Sequence, residues 1–185
     1  MSIMHCSLLS LGCAFGFSPY ADQRVLSGLR ALKIAQRRLR PEVRSKLIGA
    51  TSARAGADLM PEAWRFVFLD PATSGNCRIV TVAAKASSEH PDTVEAFSSM
   101  PTESPTDGHV ITQNKLQIDS EQALATTRST SKLKGVRAAE YKLVQARTGQ
   151  EPVWILSFFG DGSESLAQFQ VGAKNGTVKI LQKAA

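Results

Sequence analysis

The chain has 185 residues, a formal net charge of +6 at pH 7 and a hydrophobic fraction of 43%. That fraction is ordinary and can fill a core, and the length suits one domain or two small ones. The basic balance permits an acidic partner without demanding one.

In chain order, Met1–Asp22 comes first. Cys6–Phe17 is apolar and rich in small residues, and Ser18-Pro19-Tyr20-Ala21 suits the end of a signal peptide over residues 1–21. The apolar run has the length of a signal core and is too short for a transmembrane helix. It lacks a preceding Lys or Arg and has only His5. Two readings stay open: a cleaved export signal, or a buried strand or helix of the fold. Leu11-Gly12-Cys13 is similar to a lipoprotein box, although Ser10 stands where Leu is usual. A signal implies a periplasmic or extracellular protein, and its lack implies a cytoplasmic one. No later stretch is expected to span a bilayer.

Gln23–Arg40 is expected to be a helix. Val25, Leu29, Leu32, Ala35 and Leu39 recur at helical spacing, and Pro41 ends or kinks it. Arg24, Arg30, Lys33, Arg37, Arg38 and Arg40 fill the rest, and Arg44 follows. One reading is a packing helix with a solvated basic face. The other is an anion-binding surface of Arg30, Lys33, Arg37, Arg38, Arg40 and Arg44, for nucleic acid or an anionic surface. The stretch lacks the interleaved aromatics of an RNA-binding sheet, which disfavours nucleic acid.

Leu47–Ala57 reads as a weak strand. Phe66–Leu69 and Arg78–Ala84 read as strands, with Pro71–Asn76 as the turn between them. Residues 98–109 hold two prolines and polar filler and are expected to be a linker. Val110–Ile118 alternates and reads as a strand that brings a second unit (110–185) against a first (22–97). Asp119-Ser120-Glu121-Gln122 has the form of a capping box and starts a helix to about Lys132. Val136–Arg147 reads as a long strand ended by Gly149.

Val153–Phe159 is aromatic and β-branched, and Trp154, Leu156 and Phe158 alternate onto one face. Gly160-Asp161-Gly162 breaks it, and Leu166–Val171 resumes. Asn175-Gly176 suits a two-residue type I′ turn before a closing strand at Thr177–Ile180. This pattern has an earlier echo. Trp64–Asp70 matches Trp154–Gly160 in aromatic spacing, and Val82–Lys85 matches Val171–Lys174. The offset is about 90 residues both times, which reads as two copies of one unit.

Asp119–Leu124, Tyr141-Lys142-Leu143, Gly149–Trp154 and Val171–Val178 together resemble the PepSY domain family. The resemblance covers residues 117–182 well and 25–86 faintly. Gly172 departs from it, standing where the family commonly has Asp. It implies an α+β fold of two related helix-plus-antiparallel-sheet units, PepSY- or cystatin-like. It also implies a non-enzymatic envelope or secreted binding module of bacterial type. The implied partner is a protein or peptide, with a peptidase to be modulated as one candidate.

The sequence offers little chemistry. Cys6, Cys13 and Cys77 have no CxxC spacing, and His5, His90 and His109 are scattered, so no metal site is expected. No nucleophile elbow or phosphate loop is present. No catalytic residue and no cofactor are expected. Trp64 and Trp154 have two readings: core residues at the junction of helix and sheet, or part of a peptide-binding surface beside an open sheet edge.

Overall fold

The structure is a computed structural model that describes residues 26–85, 93–99 and 109–183. The expected signal (1–21), Cys6, Cys13, Arg24, His90 and residues 100–108 of the expected linker lie outside the described residues.

The helix expected at 23–40 is α1 (Gly28–Arg37), and a second short helix, α2 (Pro41–Arg44), follows it. Pro41 sits in the first turn of α2, where its missing N–H costs nothing, so it starts a helix as well as ending one. The inward face of α1 is Gly28, Ala31, Leu32 and Ala35, while Leu29 is only half-buried. Small side chains let the helix lie close to the sheet.

The strands are β1 (Leu47–Ser52), β2 (Ala63–Leu69), β3 (Cys77–Lys85) and β4 (Thr93–Ser99) in the first half. The second half has α3 (Ser120–Thr130), β5 (Ala138–Val144), β6 (Val153–Phe159), β7 (Ser165–Gly172) and β8 (Val178–Lys183). All eight strands form one antiparallel sheet in the order β4-β3-β2-β1-β5-β6-β7-β8. The α+β class expected from the sequence is therefore present. Each half is a helix followed by a four-stranded meander, and the halves join first strand to first strand. They meet edge to edge, so neither buries a sheet face against the other.

One face of the sheet carries the core. Trp64, Phe66 and Phe68 of β2 point inward together with Val80 and Val82 of β3. Tyr141, Leu143, Trp154, Leu156, Phe158, Phe169 and Val171 continue that layer in the second half. Helices α1 and α3 cover it. The alternation read in Val153–Phe159 thus corresponds to a helix-covered face and an opposite face without helices among the described residues.

Several boundaries differ from the sequence expectation. Thr93–Ser99 is a strand that its small and polar composition did not announce; its ladder with β3 defines it, and it takes in 98 and 99 of the expected linker. Val110–Ile118 is not a strand. Its N–H groups go to acceptors on different strands and loops, so no ladder forms. Ile111 donates to Leu47 O at 2.6 Å, and Gln117 and Ile118 both donate to Ala173 O at 2.8 Å. The segment contains a 3-10 turn at Gln113–Lys115 and straps the two halves together. The strand expected at 136–147 is shorter, 138–144. The strand expected at 47–57 stops at Ser52, with Ala55 making one further bridge to Ala139.

Asn175-Gly176 is not a two-residue type I′ turn. Only Gly176 has a positive φ, 72°. Gly172 N donates to Thr177 O at 2.9 Å and Gly176 N to Gly172 O at 2.8 Å, which closes a four-residue loop over 173–176. The Asn175 side chain accepts from Thr177 N at 3.0 Å and holds that loop.

The N-termini of the two helices meet. Asp119 caps α3 by the expected capping box, with Asp119 N donating to Gln122 Oε1 at 3.0 Å. Asp119 and the next residue, Ser120, also cap α1. Leu29 N donates to Asp119 Oδ1 and Gly28 N to Ser120 Oγ, both at 2.9 Å. Helix N-termini leave orphan N–H groups, and here a neighbouring helix satisfies two of them. Beneath them, a Cβ added at Gly28 would lie 2.6 Å from Trp154 Cη2 and 3.2 Å from Trp64 Cη2. Two rigid buried rings have no room to retreat. Gly28→Ala is expected to destabilise the protein by about 2–3 kcal/mol, the usual cost of overpacking a core. Urea unfolding of the variant checks this; an unchanged midpoint contradicts the packing account.

Candidate functional site

The two tryptophans are core residues and offer no peptide-binding surface. Both are 0% exposed. Trp64 Nε1 donates to Leu26 O at 2.6 Å, and Trp154 Nε1 donates to Ile118 O at 2.8 Å. In each half the acceptor is the residue just before the helix N-cap, Ser27 or Asp119. The rings lie 5.8 Å apart, edge to face. The same alternation in β2 and β6 puts Trp64 and Trp154 on the helix-covered face, where the α1 and α3 junction closes over them.

The six expected cations are on the surface. Arg30, Lys33, Arg37, Arg38, Arg40 and Arg44 are all exposed. Arg40 is tied down, 2.8 Å from Asp70 and 3.2 Å from Glu42. Arg44 Nε donates to Leu39 O at 2.9 Å. Arg30, Lys33, Arg37 and Arg38 make no ion pair among the described residues.

Asp70, which the sequence reading passed over, organises the end of this segment. It is 1% exposed and bridges Arg40 and Arg78, with Arg78 Nε donating at 3.0 Å. Ala72 N adds a third donor at 3.3 Å. Burial pushes the carboxyl up, but the hydrogen bonds from Arg78 and Ala72 and the charges of Arg40 and Arg78 outweigh it and hold it below its ordinary value of 3.8. Only its position between two arginines marks it, and those lie 30 residues before it and 8 after it.

The second open region is the β8 edge, which has no strand partner on its outer side among the described residues. Ile180 and Leu181 are 49% and 41% exposed there. Ladder hydrogen bonds alternate along an antiparallel pair. Since Gly172 and Thr177 are hydrogen-bonded across it, the backbone groups of Val178 and Ile180 turn away from β7. The third is a shallow groove of about 240 Å³ on the helix-free face, where β1 and β5 meet. Thr51, Glu140, Lys142, Ile155, Ser157 and Gln168 line it, and Glu140 is held by Arg54 at 2.8 Å.

The titratable side chains elsewhere are placed as follows. Cys77 is buried and its thiol is pushed up by burial. Tyr141 is likewise pushed up by burial, with its hydroxyl donating to Leu59 O at 2.6 Å. His109 lies 3.3 Å from Thr148 Oγ1 on an exposed loop. Among the described residues, no group of three His, Cys, Asp or Glu is placed to hold a metal ion. No helix among them is long and apolar enough to cross a membrane.

No family model, no curated protein and no solved structure matches this chain.

Asp70→Asn is expected to lower stability by about 2 kcal/mol at neutral pH, the scale of a lost charge-assisted hydrogen bond. The folded carboxyl titrates below the unfolded one, so its contribution is full above pH 4. It fades as pH falls through the folded value. Urea unfolding at a series of pH values should therefore show wild type and variant converging in acid. A gap that persists or widens there contradicts the bridging role.

Proposed function

We propose that this protein is a non-enzymatic binding module that engages an extended protein or peptide segment through the β8 edge of its sheet. The observation that supports it most is that edge itself: outward-turned backbone groups at Val178 and Ile180 beside exposed Ile180 and Leu181. An extended segment laid along β8 gains main-chain hydrogen bonds from the first and apolar contact from the second. The neighbouring loop and strand carry exposed Lys174 and Lys179, which favours acidic residues in that segment.

The reading includes two copies of one unit, similar to PepSY domains. Each copy has a helix, a four-stranded meander and a tryptophan bonded to the carbonyl before its own helix. Trp64 faces Val82 across the sheet as Trp154 faces Val171, the offset noticed in the sequence. A peptidase in the envelope or outside the cell is the partner this resemblance favours.

The test is titration of the full chain with purified serine, cysteine and metallopeptidases, alongside Ile180→Pro. Proline at an outward-facing edge position removes a free N–H while sparing the β7 ladder. The expected result is a peptidase that binds the wild-type chain and loses about tenfold in affinity with Ile180→Pro, the value of one hydrogen bond. Binding indifferent to the substitution, or no binding across the panel, contradicts the proposal.

A further inference from the structure

The charge of this chain is concentrated in one place. Between Arg30 and Lys46 lie seven cations and one acid, Glu42, a net of +6. The whole chain also has a net charge of +6, so the remaining residues, 15 basic and 15 acidic, sum to zero. The segment folds as α1 and α2, with Ala31, Leu32, Ala35, Leu39 and Val43 buried, so its cations are driven to the outside. Arg30, Lys33 and Arg37 sit at i, i+3 and i+7 on α1, a row about 10 Å long at 1.5 Å per residue.

We infer that this α1–α2 face docks on the surface of an anionic phospholipid bilayer. The cations are mostly arginines, whose planar forks suit phosphate oxygens. Arg30, Lys33, Arg37 and Arg38 have no ion pair among the described residues to give up on binding. None of the exposed large apolar residues, Phe97, Val110, Ile180 and Leu181, belongs to this segment. Without an aromatic platform the face cannot stack bases, and without an apolar wedge it cannot insert into lipid. It adsorbs by charge. A bilayer is favoured over duplex nucleic acid by the sequence just upstream. In the full chain, before any cleavage of residues 1–21, the apolar run Cys6–Phe17 precedes the basic row within about twenty residues, and an apolar segment close in sequence to a cationic cluster is the two-signal pattern of membrane attachment.

The experiment is co-sedimentation of the full chain with phosphatidylcholine vesicles, with and without about one-third phosphatidylserine. Salt is set at about 0.1 M and about 0.5 M, which shortens the screening length from about 10 Å to a few Å. The quadruple variant Arg30→Gln, Lys33→Gln, Arg37→Gln, Arg38→Gln is compared with wild type, after matching melting temperatures. The pairs Arg30→Gln/Lys33→Gln and Arg37→Gln/Arg38→Gln keep the test available if the quadruple variant misfolds. Lys174→Gln/Lys179→Gln, near the β8 edge, serves as the control. The expected result is binding only to anionic vesicles, lost at high salt, weakened by at least about fiftyfold in the quadruple variant and unchanged in the control. No preference for anionic vesicles, or equal loss in the control, overturns the inference. Tighter binding to a DNA duplex than to the vesicles at the same salt overturns it in favour of nucleic acid. The β8 edge is a different surface, so either proposal can fail alone.

Discussion

The closure of two helix N-termini over a pair of tryptophans holds this fold together. Gly28 has no side chain because Trp64 and Trp154 occupy the space one would need. Burying each indole removes roughly 150–250 Å² from water, about 4–6 kcal/mol at 25 cal/mol per Å². That gain requires each indole N–H to find an acceptor, and the chain supplies Leu26 O and Ile118 O. Those carbonyls are available because each belongs to the residue before an N-cap. Asp119 and Ser120 then serve both helices at once. A change at any one of these positions disturbs both halves.

This closure dictates where the molecule is open. Helices α1 and α3 lie on one face of the eight-stranded sheet, so among the described residues the other face and the outer edges of β4 and β8 are left to solvent or a partner. The backbone ladder between the halves is short. β1 and β5 pair at Ala50–Leu143 and Thr51–Lys142, with Ser52 Oγ accepting from Tyr141 N at 2.9 Å beyond them. The Ala55–Ala139 bridge extends that ladder, and the helix junction and the strap that runs from Ile111 to Ile118 add to the cohesion between the halves. The charge follows the same logic. The buried face of α1 is made of small apolar residues, and the segment's cations, excluded from that contact, collect on the outside.

Much of this was legible in the sequence where side-chain pattern and local structure coincide. Val153–Phe159 alternates because one face is core and the other is not. Asp119–Gln122 announced its helix because a capping box works within four residues. Other features depend on residues far apart in the chain. Thr93–Ser99 is a strand because β3 is beside it. Val110–Ile118 alternates yet donates to Leu47 and Ala173 in turn, and no local pattern distinguishes that from a ladder. Asn175-Gly176 carried the signature of a tight turn, but the bond from Thr177 N to the Asn175 side chain gave a wider one. The surfaces were legible only in part. The basic row could be read directly, whereas the burial of both tryptophans depended on where α1 and α3 meet. Asp70 was hidden because its meaning lies in arginines brought to it by the fold.

With their helix N-termini joined over the two tryptophans, the two halves are expected to open as one body. Native-state hydrogen exchange resolved to individual amides in β2 and β6 measures that directly, since each strand lies at the centre of one half. The slowest amides of both strands should report the same opening free energy and fall together as urea is added. A difference of more than about 1 kcal/mol, with one half exchanging while the other stays protected, would mean two independent units and a junction that does not couple them.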